Sequence, residues 1–159
     1  MKIIPNQNTW VGFATTVADI DSPTAAEVGA AINVTPLLIS INASTTGNTV
    51  PTPTLDTLFE TSVPGTSAAQ FSADFYRDDD EDDDIAWPLL PRGTKGYFLI
   101  SRFGGTGPNK RPAATQGLEV WPVTITSRSM AQLSSNTAQT FTVTAAVPRE
   151  PAEDAVVVA

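Results

Sequence analysis

Seven consecutive carboxylates at residues 78–84 are the side chains of this sequence most able to do chemistry. Asp-rich loops offer hard oxygen ligands to calcium, and Asp78, Asp80 and Asp82 have the alternate spacing that such loops use. The EF-hand loop also needs a Gly for its sharp turn and a distal Glu, and neither stands at the required offset. Like-charge runs usually form solvated faces. We therefore interpret the run as the solvated start of a helix or a negatively charged lining, with a calcium loop as the alternative.

Most catalytic chemistry is excluded by two missing residue types, because the chain contains no Cys and no His. The first absence excludes disulfides, thiolate catalysis and Cys-type zinc sites, and the second removes the commonest general base. Glu60, Asp74 and Glu119 have no spacing that indicates a catalytic pair. The Gly-rich segment 104–107 is not followed by the Lys-Ser/Thr pair of a phosphate-binding loop. The sequence predicts a protein that is not an enzyme, with no catalytic residue, metal or cofactor.

Length and composition predict one domain over residues 1–159. The chain is 41% hydrophobic and only 16% charged, so its polar surface consists largely of Thr, Ser, Asn and Gln. The formal net charge is −8, and it would be −1 without the seven carboxylates. No basic patch is visible, which disfavours binding to nucleic-acid phosphates. We also expect no signal peptide and no membrane span.

The elements that carry these residues are predicted to be mainly β, because short Thr- and Val-rich runs alternate with Gly, Pro, Asn and Ser. The two-residue period places Phe71, Ala73 and Phe75 on one face of a strand at 68–77. Four further strands are predicted at 9–17, 96–102, 118–127 and 140–147. The inward-facing residues of the last two are predicted to be Trp121, Val123 and Ile125, then Phe141, Val143, Ala145 and Val147.

Other segments have weaker signals. They are a short helix at 24–31, a strand at 32–41 interrupted by Pro36, a long exposed loop at 42–54, a strand at 55–62 and a type II turn at 63–66. The acidic run is predicted to begin a short helix that Pro88 and Pro91 end. A hairpin loop follows at 104–117.

Surfaces for assembly are predicted in the long loop at 42–54 and in two extended terminal arms, 1–8 and 148–159. Arg77, Arg92 and Lys95 flank the acidic run, which indicates a local or inter-subunit network of ion pairs. The three Trp residues are expected to be core or interface anchors. The candidate contact residues between subunits or rings are Trp10, Asn48, Val50, Arg77, Asp80, Asp82, Arg92, Lys95, Val156 and Val158.

Four segments together resemble the tail tube (major tail) proteins of long, non-contractile-tailed phages of actinobacteria. They are Phe75 to Trp87 around the acidic run, Leu90 to Tyr97, Glu119 to Val123 taken with Phe141 to Thr144, and Phe59 to Thr66. The resemblance covers roughly the last two thirds of the chain. It implies a β-sandwich or partial-barrel subunit with one short α-helix at its side, a long loop and extended terminal arms.

The same resemblance implies a structural role in the virion. Six subunits would form a ring, stacked rings would form a tube, and the arms and long loop would bridge subunits and rings. The lumen would hold a tape-measure protein during assembly in the host cytoplasm and pass DNA, without specific binding, during ejection. Terminator and initiator proteins would be partners, and no membrane would be involved. A calcium-stabilised β-sandwich adhesion module is the alternative function.

Overall fold

The computed structural model describes residues 2, 4–5 and 7–159, so Met1, Ile3 and Asn6 of the predicted N-terminal arm lie outside the described residues. The chain is mainly β, as predicted. Its strands are β1 (Trp10–Ala14), β2 (Ile32–Asn33), β3 (Leu38–Pro51), β4 (Ser62–Tyr76), β5 (Lys95–Ser101), β6 (Gly117–Met130), β7 (Thr140–Ala146) and β8 (Ala152–Val156). The helices are α1 (Ala25–Ala30) and α2 (Ala86–Leu89), with 3-10 turns at Thr35–Leu37 and Pro108–Lys110. No helix in this described part is long and apolar enough to cross a membrane.

All eight strands belong to one antiparallel sheet that does not close. Its order is β2-β1-β5-β6-β7-β4-β3. One edge of β6 is shared by two partners: its first residues pair with β8, and its residues from Thr124 onward pair with β7. The other edge of β6 pairs with β5. The long strand β6 therefore joins the two halves of the sheet.

The sheet curls over its own inner face. Phe71 of β4 stacks on Phe98 of β5 with ring centroids 4.6 Å apart, although β6 and β7 separate these strands in the sheet. Phe13 and Trp121 extend the same aromatic cluster. Side chains from strands far apart in the sheet thus share one core, which gives the partial-barrel shape that the fold class predicted.

A second core lies on the outer face, because successive side chains of a strand point to opposite sides. Trp10, Leu99 and Val120 occupy it, and helix α1 and strand β8 cover it through Val28 and Ala155. The predicted faces of β4, β6 and β7 are confirmed, with Phe71, Ala73 and Phe75, then Trp121, Val123 and Ile125, and Phe141, Val143 and Ala145 in the inner core. The predicted helix at 24–31 is also confirmed, as α1.

The predicted loop at 42–54 is wrong, since this segment lies in β3 as far as Pro51 and pairs with β4. The predicted strand at 55–62 is turn and bend at the end of that hairpin, and the predicted turn at 63–66 belongs to β4. The predicted strand at 32–41 is divided by the 3-10 turn that contains Pro36. The part of β3 from residue 42 onward was predicted as a loop because neither of its faces is buried, so its sequence shows no alternation of apolar and polar residues.

The predicted helix within the acidic run is also wrong. Residues 79–83 form bends and a turn, residues 78 and 84 are irregular, and α2 starts only at Ala86. The side chains of Asp78 and Asp80 each accept a hydrogen bond from the backbone N–H two residues on, which competes with helical bonding. Pro88 is accommodated inside α2 because the first turn of a helix does not need its N–H.

The C-terminal segment is extended but is not a free arm. Residues 152–156 form β8 on β6, and the Ala152, Ala155 and Val157 side chains are buried in the outer core. Val158 forms a parallel bridge with Thr24, just before α1. The alternate apolar residues of this tail therefore fasten it to its own subunit.

Candidate assembly surfaces

The first candidate surface is the hairpin of β3 and β4, which extends beyond the body of the sheet. Pairing runs from Leu38 with Phe75 to Pro51 with Ser62. On its other edge β4 pairs with β7 only from Phe71 onward. The outer part of the hairpin is thus a two-stranded ribbon, and such ribbons are marginally stable alone. At about 3.3 Å per residue, the 14 residues of β3 span about 45 Å.

The hairpin tip, residues 52–61, exposes three large apolar side chains. Leu55, Leu58 and Phe59 are 111%, 109% and 77% exposed. Hydrogen bonds, and not apolar packing, hold the two sides of the tip together. One of them runs from the Thr52 N–H to the Thr61 carbonyl at 2.7 Å. Its charged residues are both acidic, Asp56 and Glu60. Exposed apolar groups in a cluster mark surfaces that bind other proteins.

Two predicted contact residues lie on this hairpin. Asn48 donates a hydrogen bond to the Thr66 side chain at 3.4 Å, and Val50 is 50% exposed opposite Val63. Strand β3 has β4 as its only strand neighbour within the described part of the chain. Its other edge therefore offers unpaired backbone groups to another chain.

The acidic segment, residues 78–84, is fixed to the sheet by one ion pair. The Oδ2 atom of Asp84 lies 2.9 Å from Nε and 2.8 Å from Nη2 of Arg77. The Asp78 N–H donates to the Oδ1 atom of Asp84 at 3.3 Å. The other six carboxylates are exposed, and no group of three or more acidic side chains in residues 2, 4–5 and 7–159 is placed to hold a metal ion. Asp80 and Asp82 are thus available to a neighbouring molecule.

The ring of Trp87, three residues after the acidic segment, contacts two guanidinium groups. Arg128 lies 3.7 Å and Arg77 lies 4.5 Å from the ring centroid. Arg128 also donates to the Trp87 carbonyl, and the indole packs edge-on against Phe141 at 5.0 Å. Sequence analysis missed Arg128, because 41 residues separate it from Trp87 and only the curl of the sheet brings them together.

The predicted contact residues do not form one site. Trp10 is 1% exposed and packs in the outer core of its own subunit. Arg92 and Lys95 are exposed beside the turn into β5. The two ion pairs among the described residues are Arg77–Asp84 and Arg102–Glu119, so the predicted local network includes Arg77 but neither Arg92 nor Lys95. Contacts of these residues between subunits stay a prediction.

Val156 and Val158 lie at the edge of the outer core. They are 46% and 40% exposed. The backbone around Val158 is fixed on both sides, because its N–H donates to the Pro23 carbonyl and its carbonyl accepts from the Ala25 N–H. Val156 and Val158 are therefore partly exposed side chains on backbone that hydrogen bonds hold in place beside α1.

The second candidate surface is an apolar groove that sequence analysis missed. It has a volume of about 1010 Å³ and lies between three N-terminal residues (Pro5, Gln7 and Thr9), the start of β3 and the segment after β5. Ile39 and Phe103 line it and are 44% and 73% exposed. Its charged residues, Arg102 and Lys110, are both basic. No sequence motif marks it, because its walls come from four separate segments.

The two cations of the groove differ in their surroundings. Glu119 accepts a hydrogen bond from Arg102 and raises the pKa of that guanidinium, which fixes it at the groove wall. Lys110 donates to the Asn8 side chain at 3.1 Å and forms no ion pair within the described residues. The groove therefore combines an apolar floor with one neutralised and one uncompensated positive charge.

Among the solved structures that share the fold of this chain are two of gene transfer agent particles. A chain of the structure described as "Virion of native gene transfer agent (GTA) particle" has a TM-score of 0.57 and 14% identity, covering 95% of this chain and 98% of that one. A chain of "Tail of empty GTA particle computed with helical refinement, C6 symmetry" has a TM-score of 0.50 and 17% identity, covering 74% and 81%.

The sequence itself was compared with curated proteins and with protein families. No curated protein matches it. The family described as "Phage tail tube protein" matches residues 1–159, which is the whole chain. Because this match spans the full length, the chain belongs to the phage tail tube protein family and is a structural component of the virion tail, not an enzyme.

Proposed function

We propose that six copies of this chain form a ring, and that stacked rings form a tube whose lumen conducts the genome during ejection. The observation that carries this proposal is the projecting β3–β4 hairpin, whose apolar tip is almost fully exposed in the single chain. A soluble subunit gains by burying such a tip in an assembly. The six-fold symmetry is supported by the C6 tail that contains a chain of the same fold.

Closure of a ring requires each subunit to present two different, complementary surfaces. The exposed edge of β3 is one such surface, because a neighbouring strand can add to it and remove an aggregation hazard. The exposed Arg92 and Lys95 would face the Asp80 and Asp82 carboxylates of the next subunit. Such rim ion pairs add little stability but fix register and weaken with salt.

The lumen is proposed to be non-adhesive to DNA. The chain has a net charge of −8, and most of that excess lies in the exposed acidic segment. The exposed carboxylates that do not pair with the next subunit would place like charge on the wall, which repels phosphates and lets DNA pass without specific binding. A tape-measure protein would occupy the lumen during assembly in the host cytoplasm, and initiator and terminator proteins would bind the two ends of the tube.

The calcium-stabilised adhesion module has weaker support. Asp78 and Asp80 direct one side-chain oxygen each toward the local backbone, at 3.0 Å from the N–H groups of Asp80 and Asp82. The Asp84 side chain is committed to Arg77. Turn formation accounts for these carboxylates without a shared ion.

Electron microscopy of the purified full-length protein over a range of concentrations tests the proposal. We expect six-fold rings or tubes, formed alone or after addition of the tail initiator complex. Analytical ultracentrifugation of the same samples measures the fraction assembled. A protein that remains monomeric under all of these conditions would contradict the proposed function, and rings of another symmetry would contradict its hexameric form.

A further inference from the structure

The groove and the hairpin tip are at opposite ends of the same strand. The groove is lined by residues 38–41 at the start of β3, and the tip follows Pro51 at its end. Ten residue steps separate Ile41 from Pro51, which is on the order of 30 Å along an extended strand. Because β3 is held in register with β4 over this length, the tip cannot return to the groove of its own chain.

The two surfaces are complementary in chemistry. The tip presents Leu55, Leu58 and Phe59, and the groove presents an apolar floor that includes Ile39 and Phe103. The charges of the tip are acidic and those of the groove are basic. Electrostatic complementarity of this kind steers association and fixes register. The volume of the groove, about 1010 Å³, is at the upper end of the range that protein pockets use for a buried ligand.

We propose that the groove lined by Pro5, Gln7 and Thr9 together with residues 38–41, 102–103 and 109–110 is the socket for the hairpin tip of a second copy of this chain. Phe59 and the two Leu residues enter the apolar floor, and Asp56 or Glu60 approaches Lys110. This inference rests on the proposed function, since it assigns one of the contacts that would build the tube.

Tip-in-groove docking has a consequence for assembly geometry. The contact is heterologous, because each copy offers a tip at one end and a groove at the other. A heterologous contact can build either a closed ring or an open filament. Because the proposed function already assigns the exposed edge of β3 to the contact within a ring, we place the tip-in-groove contact between successive rings, where it would repeat along the tube axis.

Site-directed crosslinking tests the docking directly, because the chain has no Cys of its own and introduced thiols are unambiguous. The test variant carries Leu58→Cys in the tip and Ile39→Cys in the groove, and a short bifunctional thiol reagent is applied to the assembled protein. The matched control carries Leu58→Cys with Leu133→Cys, since Leu133 is 71% exposed and does not line the groove. Each single Cys variant is run beside them.

We expect the test variant to give a ladder of dimers, trimers and higher multimers, with at least a tenfold greater yield than the control. A ladder in the control but not in the test variant, on tubes of normal appearance, would overturn the docking while leaving the proposed function intact. If the wild type forms neither rings nor tubes, alone or with the tail initiator complex, the proposed function fails. The crosslink is then measured on the soluble chain at high concentration, where absence of a dimer in the test variant also refutes the docking.

Discussion

Asp84 differs from the other six carboxylates of the acidic segment because its side chain is buried. It is 7% exposed and bonds to both Arg77 and the Asp78 backbone, whereas the other six are exposed. In a run of seven like-charged residues the sequence does not reveal this difference, so it locates the segment but not the carboxylate that anchors it. The anchor also holds Arg77 against the Trp87 ring.

Replacing Asp84→Asn should destabilise the subunit by about 2 kcal/mol, because the partly buried Arg77 loses its countercharge. Urea unfolding of the soluble chain, with the free energy of unfolding extrapolated to water, measures the change. Asp79→Asn is the matched control, because Asp79 is exposed in the same segment and its loss should cost under about 0.5 kcal/mol. Equal losses for the two variants would show that Asp84 is not the anchor.

Gly96 is required at the start of β5 because its neighbours leave no room for a side chain. A Cβ there would lie 2.3 Å from the Phe13 ring and 2.8 Å from the Ala14 carbonyl oxygen. We expect Gly96→Ala to destabilise the fold by about 3 kcal/mol through overpacking. Gly47→Ala in the projecting hairpin is the control, since no atom lies within 4 Å of the position of its Cβ. Calorimetric melting of both variants checks the contrast, which a comparable loss at Gly47 would contradict.

At the scale of elements, a strand was predictable where its sequence alternates regularly over one buried face, and the solvent-facing part of β3 was not. β7 shows strict alternation of Phe141, Val143 and Ala145 with Thr, because one of its faces is buried and the other is not. β3 beyond residue 43 has no buried face, so its Ser, Thr and Asn residues look like a loop. Leu55 and Phe59 gave the opposite error, because their alternation indicated a strand where no core exists. Pairing with β4, which the local sequence does not show, makes residues 42–51 a strand and leaves residues 55–61 in the connecting tip.

Helix α1 shows how a local sequence signal fixes an element and makes it sensitive to pH. The Glu27 carboxylate accepts from the Thr24 N–H and the Ala18 N–H, both at 2.8 Å. These bonds, the Thr24 bond first, lower the pKa of Glu27 below its ordinary 4.5. Because the folded pKa lies below the unfolded one, the stabilisation is present above pH 4.5 and is lost as pH falls through the folded value.

Glu27→Gln should therefore lower the free energy of unfolding at pH 7, and the gap to wild type should narrow as pH falls below 4.5. Urea unfolding at a series of pH values from 7 to about 3 measures the gap. Glu150→Gln is the control, because Glu150 is exposed and its replacement removes one carboxylate charge without removing the cap of α1. A gap for Glu27→Gln that stays constant across the series would show that the ionised carboxylate does not support the cap.

At the scale of the whole molecule, folding and assembly use different parts of the chain. The two cores draw on β1, β4 to β8, both helices and residues 34–37, whereas the hairpin beyond residue 47 contributes no fully buried side chain. The sequence predicted an assembly element in this region and identified the family, because both predictions depend on the composition and motifs of short segments. The apolar groove was not predictable in the same way, because Ile39 and Phe103 meet only through the curl of the sheet.

This division predicts that the hairpin can be removed without unfolding the subunit. Gly47 and Ser67 are opposite each other in the ladder, so an Asn-Gly turn can join them in place of residues 48–66. The shortened chain should keep its free energy of unfolding within about 1 kcal/mol, because no core residue is lost. In electron micrographs it should form no tubes, because the tip that would enter the next copy is missing. A loss of folding would show that the hairpin supports the core, and tubes of normal length would show that stacking depends on other surfaces.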